Sequence, residues 1–188
     1  YFSLLFWTGF RGEVLAQPVM LWAKGIGSTG SEFSNSITLD ASGNVYTTGF
    51  FNGTVDFDPG AGVFNLGSVG LSNNMFVSKL DASGNFIWAK QMGNSSSDTR
   101  SFAIALDNNG NVYTTGFFIG TADFDPGVGI FNLTTVGGTN IFVSKLDASG
   151  NFIWVQQMGT GNGSGKGNSI SVDGNDNVYT TGSFTRTA

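Results

Sequence analysis

The chain has 188 residues and contains neither cysteine nor histidine. Without cysteine there are no disulfides and no thiolate nucleophile; large repeat folds are stable without such staples, so this absence leaves the compartment open. Without histidine, Ser-His and Cys-His activation of a nucleophile and the usual His-bearing zinc sites are unavailable. Charge is scarce too: only 11% of residues are charged, and eight Lys and Arg against thirteen Asp and Glu leave a formal net charge of -5. There is no basic run, so nucleic acid is not expected as a partner, because neutralising phosphates needs clustered cations. No uninterrupted apolar run reaches the ~18 residues of a membrane-spanning helix.

What the chain does have is glycine and phenylalanine, 29 and 18 residues, in a composition that is 40% hydrophobic. Such a composition fits many turns between short buried strands, and the class it implies is all-β. The stretch Leu80 to Lys90, Leu-Asp-Ala-Ser-Gly-Asn-Phe-Ile-Trp-Ala-Lys, returns almost letter for letter from Leu146 to Val155. Trp22, Trp88 and Trp154 are spaced 66 and 66 residues apart, and Tyr46, Tyr113 and Tyr179 are spaced 67 and 66 apart. These spacings define units starting near 22, 88 and 154 within a repeat region spanning 19–188. The region holds about two and three-quarter units, while repeat folds need at least ~3 to bury their faces, so further units are expected from outside these residues.

Residues 1–18 fit no unit. Two readings stand side by side: a remnant of a secretory signal peptide ending near Val14-Leu15-Ala16, or a non-native leader, since Arg11 and Glu13 interrupt the apolar run. Within a unit the pattern predicts strands at Val19–Ala23, Ser36–Leu39, Val45–Phe51 and Met75–Leu80, with Phe86–Lys90 opening the next unit. Asp40-Ala41-Ser42-Gly43-Asn44, Asp107-Asn108-Asn109-Gly110-Asn111 and Asp173-Gly174-Asn175-Asp176-Asn177 read as tight hairpins, the Asp bonding the turn backbone and the fourth residue taking positive φ. In the third, Asp176 takes the glycine slot, and the turn is expected to survive at some cost. Gly53 to Leu66, with Pro59-Gly60 at its turn, reads as two short extended arms outside the core.

Four short strands per unit and a recurring tryptophan suit propeller blades, each a four-stranded antiparallel sheet. The motifs Asn-Ser-Ile-x-x-Asp-x-x-Gly-Asn-Val-Tyr-Thr-Thr-Gly and Phe-Val-Ser-Lys-Leu-Asp-Ala-Ser-Gly-Asn-Phe-Ile-Trp resemble the bacterial seven-bladed β-propeller repeat of secreted and cell-surface proteins. That resemblance implies an incomplete propeller and extracellular placement. It implies no common activity and carries over no catalytic residue. Leu-Asp-Ala-Ser-Gly-Asn-Phe-Ile-Trp also resembles the tryptophan-docking repeat of quinoprotein propellers, a likeness of packing logic that licenses no quinone cofactor.

Two pairs of carboxylates are the candidate metal ligands: Asp56 with Asp58, and Asp123 with Asp125. At i and i+2 on an extended arm, both members face one side. They either close the turn or hold a calcium ion, which needs 6–8 oxygens. Acid and nucleophile roles in glycoside hydrolysis need one tuned constellation, and a pair repeated at the same place in each unit does not behave so. The hairpin Asp and Asn residues resemble a calcium-loop ladder but lack its sixth-position glycine and twelfth-position Glu. The recurring tryptophans read as blade core. The expected function is a non-catalytic secreted or cell-surface propeller scaffold that binds a protein or glycan, with no cofactor beyond calcium. The alternative is a fragment of a propeller-based hydrolase or lyase acting on polysaccharide.

Overall fold

A computed structural model describes residues 20–28, 30–68, 72–159 and 163–185. The candidate leader lies outside the described residues. These residues form thirteen strands: β1 (Ser31–Leu39), β2 (Val45–Asn52), β3 (Thr54–Asp56), β4 (Asn65–Gly67), β5 (Asn74–Leu80), β6 (Phe86–Met92), β7 (Ser97–Leu106), β8 (Val112–Asp123), β9 (Asn132–Thr134), β10 (Asn140–Leu146), β11 (Phe152–Met158), β12 (Ser164–Val172) and β13 (Val178–Thr185). No helix among them is long and apolar enough to cross a membrane.

The first sheet is an antiparallel meander in the order β1-β2-β5-β6, and the second repeats it as β7-β8-β10-β11 with β9 paired to the end of β8. The third sheet consists of β12 and β13. The leading strands β1, β7 and β12 lie side by side, β7 packing against both neighbours. The sheets do not close on themselves, which is the all-β, incomplete-propeller architecture that the repeat predicts.

Two strand assignments differ from the sequence pattern. Phe86–Met92 hydrogen-bonds to β5 and ends the first sheet, so Trp88 sits on a sheet's last strand, not on the first strand of the next. A repeat period has no phase of its own; the hydrogen-bond ladder sets it. The stretch around Trp22 forms no strand, since among the described residues it has no ladder partner, and its one bridge is Gly27 to Asp56. Trp22 instead donates its indole N–H to the Ala82 carbonyl at 3.0 Å.

The hairpins form as the residues dictate. Gly43 and Gly110 sit at φ 80 and 76, and Asp176 occupies the same turn position at φ 63. Strands β5 and β10 are apolar on both faces and buried on both, since each lies inside its sheet with a neighbour on either side.

The arms β3 and β4 pair as the sequence suggests, but their loop is not outside the core. Phe57 and Phe124 are fully buried. Phe124 packs edge-on to Phe118 at 5.4 Å and lies 5.1 Å from Phe142. It belongs to one apolar cluster with Met75, Val77 and Met92 of the first sheet and Ile104 and Val155 of the second. The second elaboration thus fills space between the first two sheets, while Phe57 packs on Phe51 and Phe76 of its own sheet; each such ring contributes about 1.5–3 kcal/mol of burial.

Candidate functional site

Each of the five hairpin aspartates folds back on its own turn. Asp107 Oδ1 accepts the backbone N–H groups of Asn109 and Asn111, both at 2.9 Å, and its Oδ2 accepts Asn111 Nδ2 at 2.8 Å. The Tyr113 hydroxyl donates to the same Oδ2 at 3.2 Å, and Lys145 Nζ stands 3.4 Å away, above the Tyr113 ring at 4.7 Å. Burial raises the Asp107 pKa, but the hydrogen bonds from Asn111, Asn109 and Tyr113 outweigh it and hold the carboxyl below its ordinary value. Asp40, Tyr46 and Lys79 reproduce the cluster in the first sheet. In the third sheet Asp173 and Tyr179 repeat the first two members, and hydrogen bonds from Asn177 and Asn175 draw Asp173 down to about 2.

The candidate calcium ligands have the same self-contained character. Asp56 Oδ1 accepts from the N–H of Asp58 at 3.0 Å and of Phe64 at 2.8 Å, and Asp58 Oδ1 accepts from Gly60 N–H at 2.8 Å. Asp123 and Asp125 repeat these bonds to Asp125, Phe131 and Gly127. The structure therefore shows each carboxylate closing its own loop. Among the described residues, no three His, Cys, Asp or Glu side chains converge on one point.

The polar constellation whose side chains change from unit to unit lies at the seams, and it is fullest at the seam between the first two sheets. Arg100 projects from β7 and stacks between Phe50 of the first sheet at 4.8 Å and Phe117 of the second at 5.6 Å. Its Nε and Nη2 both donate to Asp98, at 2.8 and 2.7 Å, and the hydrogen bond to Asp98 raises the guanidinium pKa further. Asn73 of the first sheet donates to Asp98 Oδ1 at 3.1 Å, and its carbonyl accepts from Thr99 N–H at 2.9 Å. Beside these groups runs an open groove of about 390 Å³, lined by Ser72, Asn73, Ser95, Ser96, Asp98 and Gly120 among others. Its hydroxyls, amides and single carboxylate can hydrogen-bond a polyol or a peptide backbone. The repeat does not mark this seam, because the side chains that distinguish it are the ones that change between units. The available signal was the departure: Arg100 and Lys166 stand where the first unit has Phe33.

The match to known sequences falls on the same strands. The beta-propeller repeat family named SBBP matches residues 87–116 and again residues 153–183. This is a beta-propeller repeat protein. Each match starts inside the last strand of one blade and runs through the first hairpin of the following one, crossing the connection at which neighbouring blades meet. An uncharacterized WD repeat-containing protein of Acanthamoeba polyphaga mimivirus is 27% identical over 199 residues, a stretch covering 91% of this chain. The chain spans 14% of that relative's length.

Proposed function

We propose that these blades belong to a non-catalytic scaffold, secreted or displayed at a cell surface, that binds a protein or glycan ligand along its seams. One observation carries the reading. The carboxylate clusters recur from unit to unit and spend their oxygens on their own turns, while the polar groups that differ between units line an open seam. A catalytic centre needs groups brought into one tuned arrangement, whereas varied hydrogen-bonding side chains on a repeated frame suit recognition. The signal-like Val14-Leu15-Ala16 and the resemblance to secreted propellers support the extracellular placement.

The test is a binding screen of the chain against polysaccharides and extracellular proteins, paired with an assay for released oligosaccharide. Saturable binding without product, weakened at least about tenfold by Ser96→Trp in the groove, is the expected result. Released oligosaccharide that disappears with Asp58→Asn would replace this reading with the polysaccharide hydrolase or lyase.

A further inference from the structure

Unlike the hairpin and arm carboxylates, Asp98 closes no turn of its own. It lines the groove of about 390 Å³ between the first two sheets, a volume in the size range of small-ligand sites. Its Oδ1 accepts from Arg100 Nε at 2.8 Å and Asn73 Nδ2 at 3.1 Å, and its Oδ2 accepts from Arg100 Nη2 at 2.7 Å. Those three bonds leave room for another donor, since a carboxylate has about four acceptor sites. The two charges cancel, so neither kind of ion gains from entering: an anion meets Asp98 and a cation meets Arg100. What the carboxylate can still take is a neutral hydrogen-bond donor.

We propose that this groove holds a neutral oligosaccharide, with one sugar hydroxyl donating to Asp98 and others bonding Ser95 and Ser96; this rests on the binding-scaffold reading above and names its ligand class. Two features favour sugar hydroxyls over a peptide backbone. Main-chain groups at the groove are already paired: Thr121 N–H donates to the Ser96 carbonyl at 3.3 Å, Ser96 N–H to Asn94 Oδ1 at 2.8 Å and Gly120 N–H to Thr135 Oγ1 at 3.0 Å. They offer no ladder edge to an added strand. Among the described residues the Ser95 and Ser96 hydroxyls have no partner within the protein, and each can donate and accept, as a sugar hydroxyl does. Ile119, also exposed, gives the groove an apolar wall for the C–H face of a sugar ring. The second seam does not repeat the site. Ser164 and Lys166 stand where Asp98 and Arg100 stand, and Gly163 where Ser97 stands, so the carboxylate is missing there.

The experiment titrates the whole chain, by calorimetry, with neutral hexasaccharides of glucose and of mannose, with uronic acid hexamers and with a serine-alanine decapeptide. Expected are saturable one-to-one binding of at least one neutral hexasaccharide and weaker binding of the other probes. Asp98→Asn should weaken the sugar at least about tenfold, as loss of a hydrogen bond to a charged group does. That loss should vanish for one monodeoxy derivative of the sugar, because removing either partner removes the same coupling. A merely structural role for Asp98 would weaken every derivative alike. Ser96→Trp, at an exposed position whose hydrogen bonds are made by its backbone, leaves the Arg100–Asp98 pair in place and should block the groove even if Asp98→Asn folds poorly. No binding of any neutral hexasaccharide, a preference for uronate or peptide, or neutral binding indifferent to both variants would each overturn the assignment of this groove. The scaffold reading would survive any of these, and would itself fall only if every glycan and extracellular protein of the wider screen failed to bind.

Discussion

The indole of Trp88 lies against Gly150 of the following sheet: a β-carbon at 150 would stand 3.3 Å from Trp88 Cε3 and 3.0 Å from the Lys90 side chain. Trp22 stands in the same relation to Gly84, at 3.0 Å from its Cδ2. Trp88 on the first blade's last strand thus seats on the outer hairpin of the next, and the glycine there is needed twice over. It leaves room for the ring and it adopts φ 80, a conformation that costs other residues about 1–2 kcal/mol.

Gly150→Val should therefore destabilise the chain by about 2–4 kcal/mol, combining left-handed strain with displacement of the ring. Urea unfolding followed by tryptophan emission measures it. Gly53→Val, at a glycine of φ 84 with open space around it, carries the strain without the ring contact and should cost less. Equal losses at the two positions would show that the Trp88 contact contributes nothing.

Ile37 and Ile104 hold the same place in successive leading strands, yet Ile37 is 65% exposed and Ile104 is 6% exposed. Ile104→Ala should cost about 2–4 kcal/mol, and Ile37→Ala should stay within about 0.5 kcal/mol. Denaturation midpoints of the two variants decide this. A large loss at Ile37 would mean that its face is covered in solution by something outside the described residues.

The hairpin carboxylates make the fold acid-sensitive in a defined direction. Asp173 has an ordinary pKa of 3.8 in the unfolded chain and about 2 when folded, so its stabilisation is full above 3.8 and is lost as pH falls toward 2. Asp40, Asp81, Asp107 and Asp147 are lowered in the same sense. Thermal melts from pH 5 to pH 2 should fall for the parent and fall less steeply for Asp107→Asn, the two curves converging at the acid end. Parallel curves would remove Asp107 from this account.

The arm carboxylates separate turn closure from cation binding. Asp56→Asn keeps the oxygen that accepts from Asp58 and Phe64 and should be nearly neutral, whereas Asp56→Ala leaves both N–H groups unpaired and should cost about 1–2 kcal/mol. Calcium at millimolar concentration should leave the melting curve of the parent unmoved. A rise reversed by chelator and absent in Asp56→Asn would assign Asp56 and Asp58 to a cation, since ligand binding to the folded state stabilises it by mass action.

The sequence by itself determined the 66-residue period, the hairpins and the class of the fold, because each rests on local chemistry. An Asp four residues before an Asn, with glycine between, closes its turn whatever surrounds it, and even Asp176 takes the left-handed φ that the turn demands. Tertiary structure alone decided which strand ends a sheet, since only ladder bonds tie Phe86–Met92 to β5. It also placed Phe57 and Phe124 in the core and gathered Arg100, Phe50 and Phe117 at a seam from positions far apart in the chain. Identical letters then met different fates: Tyr113 is buried and Tyr179 is 58% exposed, although both bond the same kind of Asp. Burial belongs to the neighbouring sheet rather than to the residue, and a repeated sequence reads the same whether or not that neighbour is present.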